Sequence, residues 1–145
     1  MKKNSVNQEQ ESLLTDSFGR IAKKLRISVT DRCNLQCIYC MPKNNNKWFD
    51  SSDILTFDEM IRFASIMSKL GIENIRLTGG EPLLRSNIEI LVENLSKITG
   101  IKKVSMTTNG ILLPGKISQL KKAGLTSINI SLDTFNHEKF IKING

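Results

Sequence analysis

Long apolar runs are absent from this chain. No stretch approaches the roughly 18 residues that a membrane-spanning helix needs, which argues against a helical membrane protein. The opening "MKKNSVNQEQESLLTDSFGR" is basic at its start but lacks the apolar stretch of a secretory signal. We therefore expect a cytoplasmic protein, with a polar, mobile tail over residues 1–19 ahead of one domain over residues 20–145. Low-complexity segments are missing, and no shift in composition marks a second domain. "KNNNK" (Lys43–Lys47) reads as a loop. Aromatic residues make up only 6% of the chain and do not interleave with the basic ones. With no nucleic-acid motif in sight, nucleic acid is not an expected partner.

Acidic charge is also in short supply. The chain carries 21 Lys and Arg against 14 Asp and Glu, a net charge of +7. The lysines are scattered along helix faces and near turns, which suits solubility. The excess also leaves room for an anionic partner, and a phosphorylated small molecule fits better than a polymer.

The remaining residues alternate between two periods. "LRISV" (Leu25–Val29), "NIRLTG", "VSMTTNG" and "SINISLD" have the two-residue period of strands. Between them lie helical patterns. In the first, Phe57, Met60, Ile61, Ala64, Met67 and Leu70 share one face, Thr56 and Glu59 form a capping box, and Gly71 suits the C-terminal end. In the second, Ile88, Leu91, Val92, Leu95 and Ile98 make the stripe, with Ser86 and Glu89 expected as the capping box. "KISQLKKAG" is a third helix closed by Gly124, and "NHEKFIK" begins a fourth. Four strand–helix alternations with short links predict βαβ units and a parallel α/β sheet.

These strands are not the continuous apolar runs of a sheet buried on both faces. Leu25, Ile27 and Val29 oppose Arg26 and Ser28; Ile75 and Leu77 oppose Arg76 and Thr78. Val104 and Met106 oppose Ser105 and Thr107, and Ile128, Ile130 and Leu132 oppose Asn129, Ser131 and Asp133. One face needs helices over it. The other is polar on all four strands, with two arginines in equivalent positions. A partial or open barrel with a ligand in its interior satisfies both faces.

All three cysteines fall in "CNLQCIYC", spaced C-x3-C-x2-C, just after the first strand. An odd count in a reducing compartment argues against a disulfide. Zinc wants a fourth ligand, and the only histidine, His137, lies far away near the last helix. Buried free thiols would not all gather in eight consecutive positions. An iron–sulfur cluster remains, because thiolates are its standard ligands. Three thiolates on four irons leave one iron open to a small molecule with an amine and a carboxylate. S-adenosylmethionine has both.

The chain resembles the radical S-adenosylmethionine superfamily in this loop, and the likeness extends further. "LRISVTDRCNLQCIYCMP", "IRLTGGEPLLR", "MTTNGILL" and "AGLTSINISLD" occur in order and resemble the GTP 3′,8-cyclase family of molybdenum cofactor biosynthesis, from about Asp16 to Gly145. The resemblance implies the first four or so βα units of a partial parallel (β/α)6 barrel. It implies that Cys33, Cys37 and Cys40 hold a [4Fe-4S] cluster. It further implies that Tyr39, Gly80 and Ser131 contact S-adenosylmethionine, and that Arg26, Arg76 and Thr107 contact GTP. The implied activity is that of a lyase. A 5′-deoxyadenosyl radical removes the ribose 3′ hydrogen, and the sugar radical closes on guanine C8. The product is (8S)-3′,8-cyclo-7,8-dihydroguanosine 5′-triphosphate. Asn109 and Gly110, in "TTNG", keep their plain reading as an Asn-Gly turn.

The resemblance also implies an electron donor and a second cysteine set binding another [4Fe-4S] cluster, which this chain lacks. A C-terminally shortened chain, inactive on its own toward GTP, is the expectation. Two other readings stand beside it. One is a radical S-adenosylmethionine enzyme acting on a peptide or another small molecule. The other is a non-catalytic iron–sulfur or zinc binding module.

Overall fold

A computed structural model describes residues 13–40 and 48–145. The "KNNNK" segment and residues 1–12 lie outside the described residues. Four strands alternate with four helices: β1 (Lys24–Ser28), α1 (Phe57–Lys69), β2 (Asn74–Thr78), α2 (Ile88–Ser96), β3 (Lys103–Thr108), α3 (Ile117–Lys122), β4 (Ser127–Ile130) and α4 (His137–Asn144). The strands form one parallel sheet in the order β1-β2-β3-β4. Each strand therefore lies beside its successor in sequence, as βαβ units require. Among the described residues, no helix is long and apolar enough to cross a membrane.

The alternation of the strands is realised. Ile75, Leu77 and Met106 are fully buried, and Ile27 and Val104 nearly so. Helix α2 covers this face with Ile88, Leu91, Val92 and Leu95, all fully buried, each worth about 2 kcal/mol of apolar burial. Helix α1 adds Met60 and Ala64, with Phe57 and Ile61 packed at the margin. The last strand departs from the pattern. Ile130 is 57% exposed and Leu132 47%, because α3 is only six residues long and α4 runs to the cysteine loop instead.

The first capping box forms as expected: Thr56 accepts from the Glu59 backbone, and Glu59 accepts from the Thr56 backbone. Gly71, with φ of +101°, turns the chain out of α1 in a conformation that a side chain would strain. The second box does not form. Asn87, not Ser86, occupies the N-cap of α2, in the left-handed region with φ of 56° and no side-chain capping bond. The chain enters α2 from a 3-10 turn over Pro82–Leu84, and asparagine tolerates the required left-handed step better than serine.

The antiparallel bridge between Thr15 and Ile21 places part of the expected tail against the domain. The Leu14 amide donates to the Leu70 carbonyl at the end of α1. Contact with the domain thus begins before residue 20.

Candidate functional site

The polar face of the sheet carries its charge at the N-terminal ends of the strands. Arg26 lies directly across from Arg76, which lies across from Ser105. One step earlier, Lys24, Asn74 and Lys103 make the neighbouring row. These side chains line a pocket of about 430 Å³. Two of the small polar residues of the face are satisfied within the sheet. The Ser105 hydroxyl donates to the Ile75 carbonyl at 3.1 Å, and Thr78 donates to Ile27 at 3.4 Å. The cations are not. Lys23 and Lys102 pair with Glu73 at 3.7 and 3.0 Å, whereas Lys24, Arg26, Arg76 and Lys103 have no ion-pair partner among the described residues. Neighbouring lysines are thus sorted, one to an acid and one to the pocket. Thr107 stands on the same face two residues beyond Ser105 and lies outside the pocket lining.

The cysteine loop sits past the opposite ends of the strands. Cys33 and Cys37 are half-buried and Cys40 is exposed. Burial pushes the Cys37 thiol above its ordinary value; the Tyr39 hydroxyl pulls the other way, and Asp133 and the other two cysteines add to the rise. Cys33 and Cys40 thus both lie close enough to Cys37 to act on it. Among the described residues, no three His, Cys, Asp or Glu side chains gather tightly enough to ligate a single metal ion. A four-iron cluster takes thiolates at its corners, and three cysteines in one loop supply that donor set.

The "GGEP" turn packs directly against the approach to this loop. The Gly80 amide donates to the Thr30 carbonyl at 2.8 Å, and the Glu81 amide to the Arg32 carbonyl at 2.8 Å. A Cβ on Gly80 would collide with the Arg32 carbonyl oxygen and come within 2.6 Å of that of Asp31. Only glycine allows this approach. Ser131 follows β4, exposed, its amide donating to the Thr108 carbonyl at 2.9 Å. The Tyr39 hydroxyl donates to Asp133 at 2.8 Å, a bond that pushes the Tyr39 hydroxyl well above the ordinary phenol range.

The expected residues thus fall into two groups. Cys33, Cys37, Cys40, Tyr39, Gly80 and Ser131 surround the cysteine end, Arg26 and Arg76 the far end, and Thr107 lies between.

Four residues without an assigned role join these parts. Glu81 is buried and accepts from the Thr108 hydroxyl at 2.7 Å, the Asn109 amide at 2.8 Å and the Leu83 amide at 2.9 Å. Its place in the quoted turn was the only signal. Asn109 accepts from the Ile111 amide, as a turn asparagine does, but also donates from Nδ2 to Asn34 in the cysteine loop at 2.8 Å. Asp31 holds the Phe49 amide at 2.6 Å. Asn144, at the end of α4, accepts the Cys37 thiol proton at 2.9 Å.

The sequence profile of the Radical SAM superfamily matches residues 27–145. The chain is 48% identical to the molybdenum cofactor biosynthesis protein 1 of Dictyostelium discoideum, over 93% of this chain and 21% of that protein. It is 49% identical to the GTP 3′,8-cyclase of Peptoclostridium acidaminophilum, over 91% of this chain and 41% of that one. For the GTP 3′,8-cyclase of Listeria monocytogenes the identity is 48%, over 88% and 38%. The chain thus spans at most 41% of the length of these relatives. Among solved structures it is similar to BtrN in complex with AdoMet and 2-DOIA, with a TM-score of 0.59 and 20% identity over 86% of this chain and 51% of that one. A match of that profile over most of the chain, on a parallel sheet with the cysteine loop after its first strand, shows that the chain belongs to the radical SAM superfamily, whose cofactors are a [4Fe-4S] cluster and S-adenosylmethionine.

Proposed function

We propose that the chain is the cofactor-binding part of a GTP 3′,8-cyclase. The observation that carries this reading is the pair Arg26 and Arg76, in register and without acidic partners among the described residues, on a polar face that runs to the cysteine loop. Cys33, Cys37 and Cys40 hold the cluster and leave one iron without a protein ligand. Tyr39, Gly80 and Ser131 line the space for S-adenosylmethionine. Bound together, the two cofactors supply a one-electron cleavage that ends in removal of a hydrogen from the substrate.

The chain's own residues bind and orient. Arg26 and Arg76 present guanidinium forks whose charge-assisted bonds suit phosphate oxygens. Thr107, farther toward the cysteine end, contacts the nucleoside part of GTP in this reading. A triphosphate held at one end of the strands thus points its sugar and base toward the other. The ring closure from ribose C3′ to guanine C8 is the reaction this orientation serves. An external electron donor and sequence beyond this chain's match, including a second cluster, complete the activity. The relatives named for it are more than twice as long, so the purified 145-residue chain is expected to turn over no GTP.

The test is anaerobic reconstitution with iron and sulfide, followed by electron paramagnetic resonance of the reduced protein. A [4Fe-4S] signal that changes shape with S-adenosylmethionine supports the reading, together with GTP binding that Arg26→Ser weakens at least tenfold. A cluster indifferent to S-adenosylmethionine removes it. GTP binding indifferent to Arg26 and Arg76 favours an enzyme of the same superfamily with another substrate.

A further inference from the structure

The C-terminal end of α4 docks on the cysteine loop. The Gln36 amide donates to the Asn144 carbonyl at 2.8 Å, and the Ile38 amide to the Ile143 carbonyl at 2.9 Å. These bonds satisfy carbonyls that a helix end leaves open, and they fix Asn144 beside Cys37. The Asn144 residue is 1% exposed. Its Oδ1 accepts the Cys37 thiol proton at 2.9 Å, while its Nδ2 is buried without a hydrogen-bond partner among the described residues. Buried amide donors are rarely left unpaired, since nothing repays the loss of their water.

That arrangement suits only a protonated thiol. A cluster-ligating cysteine is a thiolate and has no proton to give. Facing it, the carbonyl oxygen of Asn144 would meet a negative sulfur at 2.9 Å. A half-turn of the amide about its last side-chain bond exchanges the two ends. It brings the unpaired Nδ2 to the sulfur and relieves the repulsion without moving α4.

We propose that Asn144 donates an N–H···S hydrogen bond to Cys37 when the cluster is bound, and that this bond raises the cluster's reduction potential. A donor to a ligating sulfur stabilises the reduced, more negative cluster more than the oxidised one. Asn144 is therefore a positioning and tuning residue that acts through Cys37. The inference rests on Cys37 as a cluster ligand. Nothing in the C-x3-C-x2-C spacing pointed to a residue 107 positions later.

The test compares Asn144→Thr, which keeps a donor, with Asn144→Val, its isostere without the hydroxyl, in the reconstituted full chain. Midpoint potentials are read by redox titration monitored by electron paramagnetic resonance. The expected result is a lower potential for Asn144→Val than for the native chain, with Asn144→Thr restored toward the native value. Equal potentials in all three proteins overturn the proposal while leaving the cluster assignment intact. Failure of the native chain to take up a cluster, or full uptake by Cys37→Ala, would instead remove the assignment on which it rests.

Should Asn144→Val hold no cluster, native protein carrying side-chain ¹⁵N asparagine decides. A ¹⁵N coupling on the reduced cluster, lost in Asn144→Thr, is expected. A spectrum identical in the two proteins overturns the proposal.

Discussion

Tyr39 donates its hydroxyl proton to Asp133 at 2.8 Å and so joins the loop after β1 to the segment after β4. Those two strands are the opposite edges of the sheet. A flat four-stranded sheet would hold its edges about 14 Å apart at ordinary strand spacing. The bond, together with the docking of α4 on residues 36–38, links the segments that follow the two edge strands across the cysteine end.

Tyr39 is largely exposed, so its bond to Asp133 contributes modestly. Tyr39→Phe should lower unfolding stability by about 1 kcal/mol. Asp133→Asn in the Phe background should add almost nothing, because the interaction is already gone. A denaturant double-mutant cycle checks both. Additive losses would show that the two side chains do not act as a pair.

Glu81 should matter far more. It is 1% exposed and its carboxylate receives three hydrogen bonds. Glu81→Ala leaves buried donors unmatched and should cost about 3 kcal/mol. Chemical denaturation of the cluster-free chain reads this directly, apart from any loss of cofactor.

Gly80→Ala should lower the melting temperature of the cluster-free chain and reduce iron uptake on reconstitution. The added methyl would press on the Arg32 carbonyl, displacing the residue just before Cys33. Native-like melting and native-like iron content would show that the turn yields more easily than the geometry implies.

Lys24 and Lys103 extend the cationic row below Arg26 and Arg76. Replacing both with serine should weaken inorganic triphosphate binding about tenfold at low salt, a loss of about 1.4 kcal/mol. The gap between native and double variant should narrow as salt rises, because exposed charges are screened. Titration calorimetry at two ionic strengths tests this. Equal weakening by Lys23→Ser and Lys102→Ser, which face Glu73, would count against it.

Acid should destabilise the fold through three carboxylates. The Arg20 partner and backbone donors hold Asp16 below its usual value, the Thr56 cap does so for Glu59, and Lys102 and then Lys23 do so for Glu73. A carboxyl with a lower value in the folded state contributes stability above its unfolded value, and that stability is lost as pH falls through the folded one. Melting temperature should therefore be flat near neutrality and fall as pH drops below about 4. Glu59→Gln should lower the neutral plateau and make the fall shallower. An unchanged slope would exclude the cap as a contributor.

Much of the fold was legible in the strands. Arg26 and Ser28 between Ile27 and Val29 announced a two-faced sheet, and helical spacing located α1 and α2. The cysteine loop was legible because its chemistry is local. What could not be read was set by distance along the chain. Nothing near Glu81 in sequence indicates that its carboxylate will be met by Thr108 and Asn109. Nothing near Cys37 indicates Asn144. Ser86 failed as a cap because the preceding turn, anchored by Glu81, dictates where α2 begins. The exposed Ile130 shows the same limit, since alternation marks an apolar face without saying what covers it.

The strand order has a consequence for biosynthesis. Each strand hydrogen-bonds only to the one before and the one after it in sequence. As the polypeptide emerges, every unit can therefore add to an edge already made, without waiting for residues still to be translated. Assembly can keep pace with translation, and loop-closure entropy is met one βα unit at a time. The temporary edge is always the newest strand. For β4 that edge carries Ile130, the most water-exposed apolar side chain in the sheet, and it is where a folding intermediate would be most adhesive.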